Sequence, residues 1–491
     1  MESHFLNELR VTFANRTGYE AVTYRGRGIS FGELEQRAAR FAAKLQQLGV
    51  GPSDRVALCT SDKLAFLTSH LGTLFAGAIS LPLNPRFTAE ELRFFVSDSG
   101  SRVAVAGREQ MQRLADLPVQ IVADADVWDS PQTSSHPVAV GSDDPCLIIY
   151  SSGTTGWPKG IVHTHRNVAL SLSSLQACWR FTAEDAVVNV LPLFHVHGLA
   201  FATHLSLLSG GRVLLEDSFD PVGTLDVVGE GTVFMAVPTI YYKWLDRPEF
   251  RAAASAWKNC RLFTCGSAPI RAEVLPELQA ILQRPVINRY GMTEAFVISS
   301  LPLDGPWPQG SVGLPLEGIE VRVLLDGVTE APAGEVGTVL IRGPNLFRSY
   351  WGKPEATAAA FQGGWFDTGD LGSRDAAGFL TLVGRKNDLI ITSGYNVYPQ
   401  VVERVLQSCP GVQESAVVGL PDRQHGERVV AFVVSSDAAL TERQVLEHCS
   451  QHLVDYQRPR KVLFVEALPR NAMGKVLRKD LQAHALARGG H

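Results

Sequence analysis

Strand-like and helix-like segments alternate at short intervals over residues 30–105 of this chain. Ser30 and Glu33 form a capping-box pattern, apolar residues then recur at helical spacing, and Gly49 is suited to end the helix. The signals that follow predict a strand, a helix, a strand and a second helix, at 55–59, 63–77, 79–83 and 89–97. Units of this kind and length predict a largely parallel sheet covered by helices, which is an α/β fold.

The character of the sequence changes near residue 384. Strand signals with turn residues between them occupy 311–342, and a short polar, charged segment follows at 384–388. Beyond it lie about 100 residues with their own strand and helix signals, enough for a small domain with its own core. We therefore predict a large N-terminal α/β region of stacked sheets and helices with a β sub-domain, residues 1–384, a hinge at 385–387 and a small mobile α+β C-terminal domain, residues 388–491.

The charge balance argues against nucleic-acid binding. The chain has 45 Lys and Arg against 50 Asp and Glu, a net charge of −5, without a long run of one sign. Its seven cysteines are scattered without metal-knuckle or redox spacing, which fits reduced thiols in the cytoplasm. The longest apolar stretch, Val187–Leu208, is interrupted by Asn189, Pro192 and three histidines and is interpreted as core or pocket wall. We expect a cytoplasmic enzyme with no nucleic-acid partner and no membrane span; these features give no indication of its oligomeric state.

A loop rich in hydrogen-bond donors follows the apolar run Cys146–Tyr150. Residues 150–160 include three glycines, four Ser or Thr hydroxyls and a lysine. Glycines let the backbone approach a ligand and the donors meet anionic oxygens, so the loop is suited to a polyphosphate. A P-loop is excluded, because Pro158 and Gly160 stand where that motif requires Gly and Ser or Thr. The candidate phosphate-binding residues are Ser151, Ser152, Gly153, Thr154, Thr155, Gly156 and Lys159.

This loop resembles the phosphate-binding signature of the adenylate-forming superfamily, which comprises acyl-CoA synthetases, adenylation domains of peptide synthetases and firefly-type luciferases. Further motifs of that superfamily occur in its order, at Asn288–Glu294, Trp365–Asp370, Gly384–Asp388, Ser393–Pro399 and Pro469–Lys475. The resemblance extends over roughly residues 10–482, nearly the whole chain. Asn387 departs from the pattern, since Asp or Lys is usual at the hinge position.

The resemblance implies an ATP-dependent carboxylic acid–CoA ligase that forms an acyl-adenylate and then a thioester with CoA. ATP and CoA would be co-substrates with a small-molecule carboxylate, and Mg²⁺ would offset the repulsion between the carboxylate and the phosphates. After adenylation, the small domain would rotate about the hinge. The segment that would then line the CoA tunnel contains Ser393, Gly394 and Tyr395.

The resemblance also implies roles for individual residues around the nucleotide. The catalytic set would be Lys475 at the reacting carboxylate and phosphate, Thr293 at the α-phosphate and Glu294 at Mg²⁺. The other nucleotide contacts would be Tyr290 stacked on adenine, Gly291 and Met292 in the same motif, and Asp370 and Arg385 at the ribose hydroxyls.

The acyl pocket is expected at His195, Gly266, Ser267, Ala268 and Arg289. Arg289, together with the segments His195–Leu199 and Arg342–Phe347, resembles malonyl-CoA synthetases, in which case Arg289 would pair with the second carboxylate of malonate or methylmalonate. The alternative for Arg289 is a structural ion pair.

Other functions remain open at this point. The acid can instead be a medium-chain or aromatic monocarboxylate, and the acceptor can be a carrier protein loaded by a stand-alone adenylation enzyme. A binding or regulatory protein that has lost turnover is disfavoured by the presence of Thr293, Glu294, Asp370 and Lys475.

Overall fold

The computed structural model describes residues 4–127, 138–151, 158–470 and 476–487. The roles predicted for Ser152, Gly153, Thr154, Thr155, Gly156 and Lys475 therefore concern residues outside the described ranges. Within those ranges, no helix combines the length and the apolar character that a membrane span requires.

Helices and strands alternate over much of the described chain, while residues 286–350 contain strands only. Its α-helices are α1 (Phe5–Asn15), α2 (Phe31–Gln47), α3 (Lys63–Phe75), α4 (Ala89–Ser99), α5 (Arg108–Leu114), α6 (His165–Trp179), α7 (Leu205–Leu208), α8 (Gly223–Glu230), α9 (Pro238–Leu245), α10 (Pro248–Ala254), α11 (Val274–Leu282), α12 (Pro354–Ala359), α13 (Pro399–Gln407), α14 (Glu442–His452) and α15 (Arg478–Ala487). Its strands are β1 (Glu20–Tyr24), β2 (Arg27–Ser30), β3 (Arg55–Cys59), β4 (Ile79–Pro82), β5 (Val103–Ala106), β6 (Gln120–Ala123), β7 (Pro145–Ser151), β8 (Lys159–Thr164), β9 (Ala186–Asn189), β10 (Arg212–Leu215), β11 (Val233–Ala236), β12 (Leu262–Cys265), β13 (Val286–Met292), β14 (Phe296–Ser300), β15 (Ser311–Pro315), β16 (Glu320–Leu324), β17 (Gly337–Arg342), β18 (Ser349–Tyr350), β19 (Phe361–Gln362), β20 (Trp365–Arg374), β21 (Leu380–Arg385), β22 (Ile390–Thr392), β23 (Tyr395–Val397), β24 (Val412–Asp422), β25 (Gly426–Ser435) and β26 (Lys461–Phe464). A π-helix spans His197–His204, and short 3₁₀ segments span Asp124–Val127, Lys386–Asp388 and Asp455–Gln457.

The alternating segment at the start of the chain forms the predicted α/β units. Strands β3, β4 and β5 pair in parallel, and α2, α3 and α4 connect or precede them. Ser30 caps α2 by accepting from the Glu33 backbone, but Glu33 binds Arg27 and Arg37 with its carboxylate instead of returning the bond. The cap is therefore confirmed, whereas the reciprocal half of the predicted box is not formed in the described structure.

Two sheets build the large region. A seven-stranded sheet has the order β18-β8-β7-β4-β3-β5-β6, with β8 and β18 antiparallel at one edge. A fourteen-stranded sheet has the order β16-β17-β20-β21-β15-β14-β13-β12-β11-β9-β10-β1-β2, with β19 paired to β20. Its stretch from β13 to β1 is parallel, and the strands from β14 to β21 and β16 are antiparallel, as a β sub-domain requires. One apolar core joins both sheets, since Val56 and Leu147 share it with Val187 and Phe263.

The last part of the chain has a separate sheet and separate cores. Five strands have the order β23-β22-β25-β24 with β26 on β25. One apolar cluster lies under α13 and α14 and includes Val402 and Val445; another lies under α15 and includes Leu481. The predicted fold class, a large α/β region with a β sub-domain and a small α+β C-terminal domain, is confirmed.

Candidate active site

The donor-rich loop is held at the end of a two-stranded ladder. Strands β7 and β8 pair antiparallel, and Ser151 stands opposite Lys159 in the register. Of the seven residues that join these positions, 152–157 lie outside the described ranges, so the structure fixes where the loop leaves and re-enters the sheet. Both ends of the loop therefore lie at the same end of the β7–β8 pair.

Lys159 and Glu294 are brought close to each other by a third residue, Tyr350. The Lys159 ammonium lies 4.7 Å from the centroid of the Tyr350 ring, and the Tyr350 hydroxyl donates to Glu294 Oε1 over 3.2 Å. Burial raises the pKa of the Glu294 carboxyl, against the lowering effect of the Tyr350 hydrogen bond and of Arg385. Among the described residues no salt bridge neutralises this carboxylate, so it is suited to meet a cation.

Thr293 and Glu294 lie in the tight turn between β13 and β14. His163 holds this turn in place, since its Nε2 donates to the Thr293 carbonyl over 2.7 Å. Burial lowers the pKa of His163 to about 4, so its ring is neutral at physiological pH. Gly291 is required beside the turn, because a Cβ there would lie 2.0 Å from the Phe296 carbonyl oxygen.

Asp370, Arg385 and Tyr290 form one cluster, in which Asp370 and Tyr290 are buried and Arg385 is partly exposed. Asp370 and Arg385 face each other across β20 and β21, and Arg385 Nε contacts Asp370 Oδ1 at 2.7 Å. The Tyr290 hydroxyl donates to the other oxygen, Oδ2, over 2.5 Å. Burial and then Asp370 raise the pKa of Tyr290 well above its ordinary value. The Tyr290 ring is 7% exposed, and its predicted stacking on adenine stays a prediction.

Arg289 is a buried cation without a charged partner. Its side chain lies 4.8 Å from the Phe201 ring centroid and its Nη2 donates to Ser267 Oγ over a long 3.5 Å, while its Nε has no partner. Among the described residues no carboxylate forms a salt bridge with it, so the alternative of a structural ion pair is not present. Burial lowers the pKa of Arg289 to about 10, which leaves it charged at physiological pH.

Of the other predicted acyl-pocket residues, Gly266 and Ser267 contact this guanidinium. Gly266 lies directly against it, since an added Cβ would lie 2.6 Å from Arg289 Cζ. His197 shares Ser267 with Arg289, at 3.1 Å between Nδ1 and Oγ, and its Nε2 is buried without a partner. Burial, followed by Arg289 and His195, lowers the pKa of His197 well below its ordinary value. His195 is partly buried, and burial lowers its pKa to about 4; Ala268 follows Ser267 as a partly buried residue.

The predicted CoA-tunnel residues lie on the small domain, between β22 and β23. Ser393 has a φ of 51° and its Oγ lies 2.8 Å from His425 Nδ1. Gly394 has a φ of 81°, which favours glycine at the tip of this hairpin. Tyr395 is exposed and stacks on Tyr456 with 4.5 Å between ring centroids.

Sequence reasoning did not identify Tyr350, His163 or Phe201. Each contacts a motif residue across a long separation in the chain, for example 56 residues between Tyr350 and Glu294. In the sequence, Tyr350 follows Phe347, Arg348 and Ser349, a pattern that is not specific for a site.

Comparisons with known proteins agree over nearly the whole chain. Residues 9–351 match the family described as AMP-binding enzyme, and residues 401–475 match the AMP-binding enzyme C-terminal domain. A feruloyl-CoA synthase from Amycolatopsis sp. is 34% identical, with 94% of this chain and 95% of the relative covered. A long-chain-fatty-acid–CoA ligase, FadD13, from Mycobacterium tuberculosis is 35% identical, with 92% of each chain covered.

The ATP-bound structure of MatB from Rhodopseudomonas palustris superposes with a TM-score of 0.94 at 35% identity, with 99% of each chain covered. The chain therefore belongs to the AMP-binding enzyme family and is an acyl-CoA synthetase of the adenylate-forming superfamily.

Proposed function

We propose that this ligase activates a short dicarboxylic acid, malonate or methylmalonate, and transfers it to CoA. The observation that carries the proposal is the buried, charged and unpaired guanidinium of Arg289. An uncompensated buried charge is costly, and a second substrate carboxylate would offset it with two parallel N–H···O bonds. Two further polar groups are available to the acid near Arg289. They are a buried ring nitrogen of His197 that has no partner and the hydroxyl of Ser267.

The other end of the acid would meet the nucleotide. One carboxylate oxygen attacks the α-phosphorus of ATP, the bond from that phosphorus to the bridging oxygen breaks, and pyrophosphate leaves. The CoA thiol then attacks the acyl carbon, loses its proton, and AMP leaves with the oxygen that joined it to the acyl group. Lys475 would balance charge at the first step, and Thr293 would contact the α-phosphate.

The nucleotide would lie between two described groups of residues. Asp370 has carboxylate oxygens suited to two ribose hydroxyls, and Arg385 holds it in place from the neighbouring strand. Lys159 and the loop between Ser151 and Lys159 would bind the β- and γ-phosphates. Tyr290, Gly291 and Met292 would form the adenine side.

Glu294 fits the Mg²⁺ that the family implies. The residue is partly buried, its carboxyl has a raised pKa, and it has only the Tyr350 hydroxyl as a side-chain hydrogen-bond partner among the described residues. Mg²⁺ is commonly bound by one or two carboxylates together with substrate phosphates. When bound, it would neutralise phosphate charge, and the Tyr350 hydroxyl would hold the Glu294 carboxylate in place.

The experiment is a panel of acids with ATP, Mg²⁺ and CoA, reading out AMP release. Malonate and methylmalonate should give higher kcat/KM than octanoate, benzoate or ferulate; the last represents the acids for which one relative is named. Arg289→Met should lower kcat/KM for malonate about 100- to 1000-fold, since it removes one partner of a desolvated charge pair. The monocarboxylates should lose much less.

The matched control is Arg251→Met, a substitution at an arginine that is 60% exposed and pairs with Glu277. It should leave all acids unchanged. A much higher kcat/KM for octanoate or ferulate than for malonate, or an equal loss for both classes in Arg289→Met, contradicts the dicarboxylate proposal.

A further inference from the structure

The start of the hinge is attached to the large region by two cations. Arg385 contacts Asp370 at 2.7 Å, and Lys386 Nζ lies 3.7 Å from Asp367 Oδ2. Both carboxylates lie on β20, which belongs to the large sheet. Residues 385 and 386 are therefore held to the large region by ion pairs with β20.

The next charged residue is attached to the other domain. Asp388 Oδ2 lies 3.3 Å from Nε of Arg478, the first residue of α15. Asn387 stands between Lys386 and Asp388, and no ion pair can hold its neutral amide to either side. The change of attachment from one domain to the other thus occurs at this single residue.

Arg478 is itself fixed within the small domain. Its Nη1 donates to Glu403 Oε1 at 2.5 Å and to the Val417 carbonyl at 2.7 Å, and its Nη2 donates to Glu403 Oε2 at 3.1 Å. The side chains of Arg478 and Glu403 are 19% and 12% exposed. A bidentate, mostly buried pair of this kind holds a guanidinium in one orientation.

We propose that Arg478 is a positioning residue that fastens the end of the hinge to the start of α15, shortly after Lys475 in the sequence. Arg478 follows Lys475 by three residues, a separation of at most about 11 Å for an extended chain. Through Asp388, Glu403 and Val417 it makes the hinge end, α13, β24 and the start of α15 one body. Rotation at Asn387 would then move the start of α15 together with the hinge end. The inference rests on the proposed function in assigning adenylation to Lys475.

The first test separates the two half-reactions in Asp388→Asn. This change removes the charge that Arg478 meets on the hinge and leaves the pair with Glu403 in place. The rate of acyl-adenylate formation should fall about five- to twentyfold, the range expected for one interaction in an ion-pair network. Thioester formation from supplied acyl-adenylate should change less than about twofold. Arg478→Lys keeps the positive charge but lacks the paired N–H donors of the guanidinium. It should lower the rate of acyl-adenylate formation to a similar extent.

The control is Asp437→Asn, which removes a carboxylate from an exposed turn of the same domain. It should leave both half-reactions unchanged. An equal loss of both half-reactions in Asp388→Asn indicates a merely structural contact and overturns the proposal, as does no change in either.

A second test needs no substrate, so its outcome does not depend on whether the ligase proposal holds. Hydrogen exchange of the full-length protein is compared between wild type and Asp388→Asn. Loss of the fastening should raise exchange severalfold both at residues 386–389 and in the first turn of α15, while α14 stays protected. Unchanged exchange in α15 contradicts the inference.

Discussion

The Lys63 amine is buried in the core, next to Leu191 in the segment that precedes His195 and His197. It is 7% exposed, and its Nζ donates to the Leu191 carbonyl over 2.8 Å. Burial lowers its pKa to about 7, although Asp217 and Glu216 act in the opposite direction. The amine therefore loses its proton in the folded state near neutral pH, while the unfolded chain keeps it to about pH 10.

This difference predicts a pH dependence of stability. Between pH 7 and about 10 the unfolded state binds one more proton at Lys63, so the free energy of unfolding rises with pH. From pH 7 to pH 9 the wild type should gain about 2 kcal/mol relative to Lys63→Met, which has no such group. Thermal or denaturant unfolding of both proteins at each pH measures this, and parallel stability curves would refute it.

The proposed role of Lys475 predicts an unequal effect on the two half-reactions. Lys475→Ala should abolish acyl-adenylate formation, because the charge that balances carboxylate and phosphate is lost. It should largely spare thioester formation from supplied acyl-adenylate. The exposed Lys479 on α15 provides a matched control, since Lys479→Ala should affect neither step. An equal loss of both steps in Lys475→Ala would show that the assignment is wrong.

At the scale of elements, the π-helix His197–His204 shapes the surroundings of Arg289, where we propose that the acid binds. It presents His197 toward Ser267 and Phe201 toward Arg289. Gly198 allows this element to start close to the preceding chain, because a Cβ there would lie 2.3 Å from the Pro192 carbonyl oxygen. π-Helical segments are often found at functional sites.

Gly198→Ala should therefore damage both stability and acid binding. The clash is with backbone, which cannot move as a side-chain end can, so we expect a loss of about 1–3 kcal/mol. The apparent KM for the acid should rise as His197 and Phe201 shift. Gly229→Ala in α8 is the control, since its Cβ would meet only Trp257 at 3.5 Å, an ordinary contact. Equal melting temperatures for wild type and Gly198→Ala would contradict this account.

Local signals predicted most elements, because caps and periodicity act within a few residues. Thr88 forms the full capping box that begins α4, and Gly49, with a φ of 75°, follows α2. Contacts that join distant segments were not predictable. The motif placed Glu294 near a metal, but only the pairing of β18 with β8 brings Tyr350 to its carboxylate. Likewise, the capping pattern did not predict that the Glu33 carboxylate pairs with Arg27 and Arg37.

At the scale of the whole molecule, the described apolar cores do not cross the hinge. The core of the large region ends with β21 at Leu382, and the first cluster of the small domain begins at Ile390. Two bodies with separate cores can change their mutual orientation at little cost in buried apolar surface. In the proposed mechanism, a single site would then serve two half-reactions, because different faces of the small domain would be presented to one nucleotide.

The separate cores predict that the chain can be divided at the hinge. Residues 1–386 retain Asp370 and Arg385, so this fragment should unfold cooperatively and bind ATP nearly as the full chain does. Without Lys475 its rate of acyl-adenylate formation should fall at least about 100-fold. Residues 387–491 should show an unfolding transition of their own. A cut at residue 326 is the control and should prevent folding, since it separates β15 and β16 from their partners β21 and β17. Aggregation of the 1–386 fragment would place the domain boundary elsewhere, and full adenylation by it would remove the small domain from the first half-reaction.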